Sequence, residues 1–225
     1  ETLTLGNEAY IVTVPGSQAT VNSIITGAAT SITKAGTGKL VLTGENHFAG
    51  TMNVNAGTLN IQRSSALGAT SGATNVRQDA SLELEETSFG SVNVLLETIN
   101  LTGTGINDGG ALRNIAGANS IAGNVVLTGV TVDGASFFTT TENRLPGAVL
   151  VNTVGGSLNL SGVISGNVEL LKFGSGTLEF SGAIGNNTHN VTRVKEGILL
   201  LNKEPGLNAA SNSNSVTNFF VGDDD

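Results

Sequence analysis

The sequence predicts an all-β chain wound as a parallel β-helix, a solenoid of roughly nine or ten coils running through residues 1–225 as one unit. Three observations carry this. A motif headed by a lysine occurs twice, at Lys34 and again 138 residues on at Lys172. Short segments that alternate apolar and polar residues recur along the whole length. Small polar corners separate them, and 31 glycines without a collagen period mark a chain that turns often.

The first copy of the motif reads Lys34-Ala35-Gly36-Thr37-Gly38-Lys39-Leu40-Val41-Leu42-Thr43-Gly44, and the second Lys172-Phe173-Gly174-Ser175-Gly176-Thr177-Leu178-Glu179-Phe180-Ser181-Gly182. Each is followed by a polar turn, a strand, and a glycine that opens another strand: Gly57-Thr58-Leu59 and Gly197-Ile198-Leu199. The strand candidates include Thr2–Leu5, Tyr10–Val14, Leu40–Leu42, Met52–Val54, Leu59–Ile61, Leu82–Leu84, Ile99–Leu101, Val125–Leu127, Val130–Val132, Leu158–Leu160 and Leu199–Leu201. Period-two alternation means one buried face and one wet face. A β-sandwich would also show many short strands. Here Leu178, Ile184 and Val191 follow at steps too short for a sandwich, and suit a coil that closes every 20 to 25 residues or so. The nearest approach to a helical stripe, Ala111–Ala116, is brief and ringed by glycine, and 64–72 reads as a loose turn. A lead at 211–215 precedes a terminal strand or linker that includes Phe219, Phe220 and Val221.

Composition excludes several classes. Ten Lys and Arg without a cluster, on a chain of net charge −8, leave no stripe to neutralise phosphates, so no nucleic acid is expected. No apolar run approaches the roughly 18 residues that span a bilayer, so this segment is not expected to insert. Hydrophobic residues at 39% argue against disorder, and the absence of cysteine excludes a disulfide framework. The chain opens at Glu1 and its single methionine is Met52, which reads as a processed or excised piece.

Residues 32–61 resemble the autotransporter-associated β-strand repeat, also described as a passenger-associated transport repeat. Lys34, Gly36, Gly38, Leu40, Leu42, Thr43, Gly44, Asn46, Phe48, Gly50, Val54, Ala56, Gly57, Thr58 and Leu59 fill the positions of that pattern. Residues 171–201 resemble its first half through Lys172, Gly174, Gly176, Leu178 and Gly182, then depart. The stretch 185–190 replaces the aromatic turn, and Glu196 stands where an alanine precedes Gly197. The resemblance implies a right-handed β-helix, export and placement on a bacterial cell surface. It brings no shared active site.

Chemistry-bearing residues are sparse. His47 and His189 each sit in an Asn-containing turn after a motif and lack neighbouring ligands, so both read as surface residues. If the two repeats superpose, they share a corner. Gly36-x-Gly38 and Gly174-x-Gly176 precede strands, not helices, and so are turns rather than phosphate loops. Asp223, Asp224 and Asp225 read as a frayed acidic end. Glu83, Glu85 and Glu86 could form a glycosidase pair, but eight Phe, one Tyr and no Trp offer little for stacking sugars. No catalytic residue, metal or cofactor is expected. The favoured reading is a non-enzymatic stalk or fibre segment of an extracellular surface protein. Its partner would be itself, end to end, through Phe219, Phe220 and Val221. An adhesin that recognises glycan or protein is the alternative, with a polysaccharide-acting enzyme behind it.

Overall fold

The computed structural model describes residues 1–27, 31–130, 147–166, 168–186 and 191–210, together with the backbone of 218–221. The predicted strand at 130–132, His189, the lead at 211–215 and the terminal aspartates lie wholly or partly outside these residues. Within them the chain is β throughout, with one 3₁₀ turn at Ile106–Asp108. Ladder after ladder is parallel. The strands form sheets of nine, seven, five and two members, and consecutive strands always lie in different sheets. That topology is a parallel β-solenoid and overturns the sandwich alternative, whose strands would pair antiparallel.

The chain visits three sides in a fixed order. Glu8–Val12 lies in the seven-stranded sheet, Gln18–Val21 in the nine-stranded sheet and Ile24–Thr26 on the third side. Ser31–Ala35 then pairs with Glu8–Val12, and Lys39–Leu42 with Gln18–Val21. On the third side the two-stranded sheet comes first along the rod. The five-stranded sheet begins only at Asn93–Val94.

The solenoid makes about eight turns rather than nine or ten. The excess came from assuming a uniform period. Leu40 pairs with Leu59 after 19 residues, but Leu82 pairs with Leu112 after 30 and Leu112 with Val151 after 39. Excursions between strands lengthen these circuits without adding rungs. Eight steps at about 4.8 Å make a rod on the order of 40 Å long.

Inward residues stack in register. Leu40, Leu59, Leu82, Leu112 and Val151 form one ladder of the nine-stranded sheet. Each is fully buried, worth about 1.5–3 kcal/mol per side chain. Phe48 and Phe180 are the fully buried aromatic rings among the described residues. A second small cluster, Ala148, Leu150 and Leu171 with Phe173, stands apart from the main core. Ala111–Ala116 is no helix: Leu112–Ala116 is a strand, because pairing on both flanks overrides its weak local pattern. The turn at 64–72 is present, closed by bonds such as Gly68 N–H to the Ser65 carbonyl.

Candidate functional site

The repeated lysines are not surface residues. Period two puts Lys34 on the same face as Ile32 and Lys172 on the same face as Leu170, and all four are fully buried. No carboxylate meets either ammonium in a described ion pair. Lys34 Nζ donates instead to the carbonyls of Ala35, Gly36 and, one turn on, Ala56, at 3.1, 2.6 and 2.8 Å. Lys172 Nζ donates to Phe173, Gly174 and Glu196 at 2.9, 2.6 and 2.9 Å. Each lysine thereby closes a corner and joins it to the next coil. Burial pushes both amines down to about 8, opposed at Lys172 by the charge of Glu196.

This geometry explains the motif. The carbonyl that accepts the third bond belongs to the residue before Gly57 or Gly197, so Ala56 and Glu196 serve equally well. The departure at Glu196 therefore leaves the corner bond in place and adds only a nearby charge. Gly57 and Gly197 have φ of +71° and +75° and lie against the Gly-x-Gly backbone of the coil before.

The conserved shape extends to the turn. Asn46 Oδ1 accepts from Ile25 N–H of the previous coil, and its Nδ2 donates to the Ala66 carbonyl of the next. Asn186 repeats this with Ile164 N–H and the Ala209 carbonyl. Asn186 thus replaces Asn46 in function although the aromatic turn is gone. The copies do not share sides of the rod. The first runs from the seven-stranded to the nine-stranded sheet, the second from the nine-stranded to the five-stranded. They are rotated by one side, so the two repeats do not superpose on one side of the rod, and His189 lies outside the described residues. His47 is exposed on the third side.

The three glutamates hold coils together. Glu83 pairs with Arg113 at 2.6 Å and Lys39 at 2.7 Å. Glu85 accepts from Asn60 and Gln62, and Glu86 from Ser91 and the Ala118 N–H. Glu83 and Glu85 share one donor, the Asn60 amide nitrogen, at 3.2 and 2.9 Å. On the seven-stranded sheet, Asn53, Asn75 and Asn100 form an amide ladder with bonds of 2.9 and 2.8 Å. Phe219, Phe220 and Val221 continue the nine-stranded sheet by pairing with 192–194, and form its outermost strand. Among the described residues no three His, Cys, Asp or Glu are placed to hold a metal, and no helix is long and apolar enough to cross a membrane.

The structure adds a cleft that sequence reasoning missed. On the third side, residues 43–50 and 62–72 run as loops between the two-stranded and five-stranded sheets. They leave a cleft of about 380 Å³ lined by Glu45, Arg63, Phe89, Asn93 and Glu97 among others. The Arg63 guanidinium lies 3.9 Å from the centre of the Phe89 ring and 3.6 Å from a Glu45 oxygen. Glu97 is buried, takes a 2.6 Å bond from Thr74 Oγ1, and is pushed up to about 7 by desolvation. These residues come from several successive turns and form no linear motif. Only the fold assembles them.

Glu97 sets a pH dependence. Its acid form is favoured by folding, so the stabilisation is complete below about 4.5 and is lost as pH rises through about 7. Glu97→Gln keeps an acceptor for Thr74 and removes the ionisation. Relative to wild type, this variant gains about 3 kcal/mol between pH 4.5 and pH 8. Urea titrations of both proteins across that range check it, and parallel pH profiles would refute the assignment.

The ladders, corners and turns define a class: a parallel β-solenoid built on recurrent coil-joining repeats. Residues 32–61 and 170–201 match the family described as passenger-associated-transport-repeat, so the chain carries two such repeats. It is 36% identical over 108 residues to "Adhesin BmaC autotransporter" of Brucella suis biovar 1 (strain 1330). That match covers 48% of this chain and 3% of the relative, so the chain spans a small fraction of the protein it resembles. No solved structure matches.

Proposed function

We propose that this chain is a non-enzymatic structural segment of a secreted bacterial surface protein, a stalk or fibre piece that extends and displays. The observation that supports it most is the pair of buried lysine corners, which bind coil to coil and stiffen the rod. The repeats and the autotransporter relative support placement outside the cell. Among the described residues Asn218–Val221 is the last strand of the nine-stranded sheet, paired with Val191–Val194, and strand edges of this kind can template a further strand. On this reading, copies stack end to end. Negative-stain microscopy across a concentration series tests it. The expected result is short rods that lengthen into filaments as concentration rises. Rods that stay single at every concentration would remove the stacking and leave a stalk. Compact particles, or turnover of acidic or neutral polysaccharides, would overturn the structural role. The adhesin reading has one specific support, the printed name of the relative.

A further inference from the structure

We propose that the cleft on the third side is a binding site for a neutral saccharide of one or two pyranose rings. This goes beyond the stalk reading and does not rest on it. The volume of about 380 Å³ falls within the range of about 300–1,000 Å³ typical of small-molecule sites. The cleft is a product of the fold: the hydrogen-bonded ladder of the third side is interrupted there by two loops. Those loops are held in place. Asn93 N–H donates to Ser64 Oγ, Gly68 N–H to the Ser65 carbonyl, and Ala69 N–H to the Phe48 carbonyl.

The chemistry selects the ligand. Phe89 is half exposed, and a ring at the mouth of a polar cleft suits the apolar C–H face of a pyranose. Arg63 is stacked on that ring and held beside Glu45, which fixes its orientation. Its Nε is buried without a partner in the protein. Asn93 Oδ1 accepts from Ser120 Oγ at 2.7 Å, which leaves the amide N–H₂ as a donor. The lining therefore offers donors from Arg63 and Asn93 and acceptors from Glu45 together with one aromatic ring. Vicinal hydroxyls, each both donor and acceptor, match that mixture. An anionic sugar fits less well, because Glu45 already counters the single guanidinium of the lining.

The test uses the intact chain and two sets of probes. Neutral probes are galactose, mannose, N-acetylglucosamine and their disaccharides. Acidic probes are glucuronic acid and N-acetylneuraminic acid. Saturation-transfer and heteronuclear NMR titrations report binding and its location together. The expected result is a saturable response to at least one neutral sugar, with Kd on the order of millimolar and shifts centred on Arg63, Phe89 and Asn93. Phe89→Ala weakens it about tenfold, and Phe89→Tyr retains it. Should Phe89→Ala misfold, the wild-type shift map and Asn93→Ala decide instead. No response up to about 100 mM of any neutral sugar would overturn the proposal, since that is weaker than a specific site requires. So would binding confined to the acidic sugars, or shifts centred on the Asn53–Asn75–Asn100 ladder. Rods and filaments under the microscope report separately on the stalk reading.

Discussion

Lys172→Met destabilises the folded chain by about 3–5 kcal/mol at pH 7, and Lys34→Met does so to within about 1 kcal/mol of the same amount. Methionine keeps much of the buried stem and removes the three donors. In each case three corner carbonyls lose the ammonium: Phe173, Gly174 and Glu196 at one site, Ala35, Gly36 and Ala56 at the other. The first of each three keeps a second donor, Thr153 Oγ1 for Phe173 and Thr13 N–H for Ala35, so the cost falls on the other two. An unsatisfied buried acceptor costs about 1–3 kcal/mol, and relief from burying an ammonium returns part of the total. The equality of the two effects is the sharper expectation. The copies sit on different sides of the rod, so equal losses would mean that the corner is a self-contained device. Urea unfolding of both variants measures it. A loss under about 1 kcal/mol for either would show that those carbonyls find water instead.

Gly57→Ala costs about 3–5 kcal/mol, whereas Gly16→Ala costs only about 1–2 kcal/mol. Both glycines have φ of +71°, so both substitutions carry the same left-handed backbone strain. They differ in surroundings. A Cβ at Gly57 would lie 2.5 Å from the Gly36 and Gly38 carbonyl oxygens, and one at Gly16 meets nothing within 4 Å. Those oxygens belong to the lysine corner of the preceding coil and cannot retreat without breaking it. Unfolding midpoints of the two variants separate strain from collision. Equal costs would show that the coils can part locally.

Much of the fold was legible because a solenoid is local in sequence. Leu40 and Leu42 alternate with outward residues, Gly36 and Gly38 mark a turn, and each coil closes within a short stretch of chain. The turn count was less legible, since an excursion such as that between Leu112 and Val151 looks like further coils until its pairing is known. Lys34 and Lys172 were legible as repeat positions. Their burial was written in the parity with Ile32 and Leu170, against the general rule that lysine faces water. The equivalence of Asn46 and Asn186 was hidden by the different residues around them.

The sequence by itself determined the winding, the polar corners and the repeat, because those depend on residues a few positions apart. Only the tertiary structure decided what depends on which coil lies over which. It rotated the second repeat by one side of the rod, engaged Glu83 with Lys39 and Arg113, and brought Glu45, Arg63, Phe89 and Glu97 around one cleft. Those contacts cross between rungs whose spacing along the chain varies from turn to turn. No fixed interval in the sequence marks them, and only the parallel pairing of the strands sets their register.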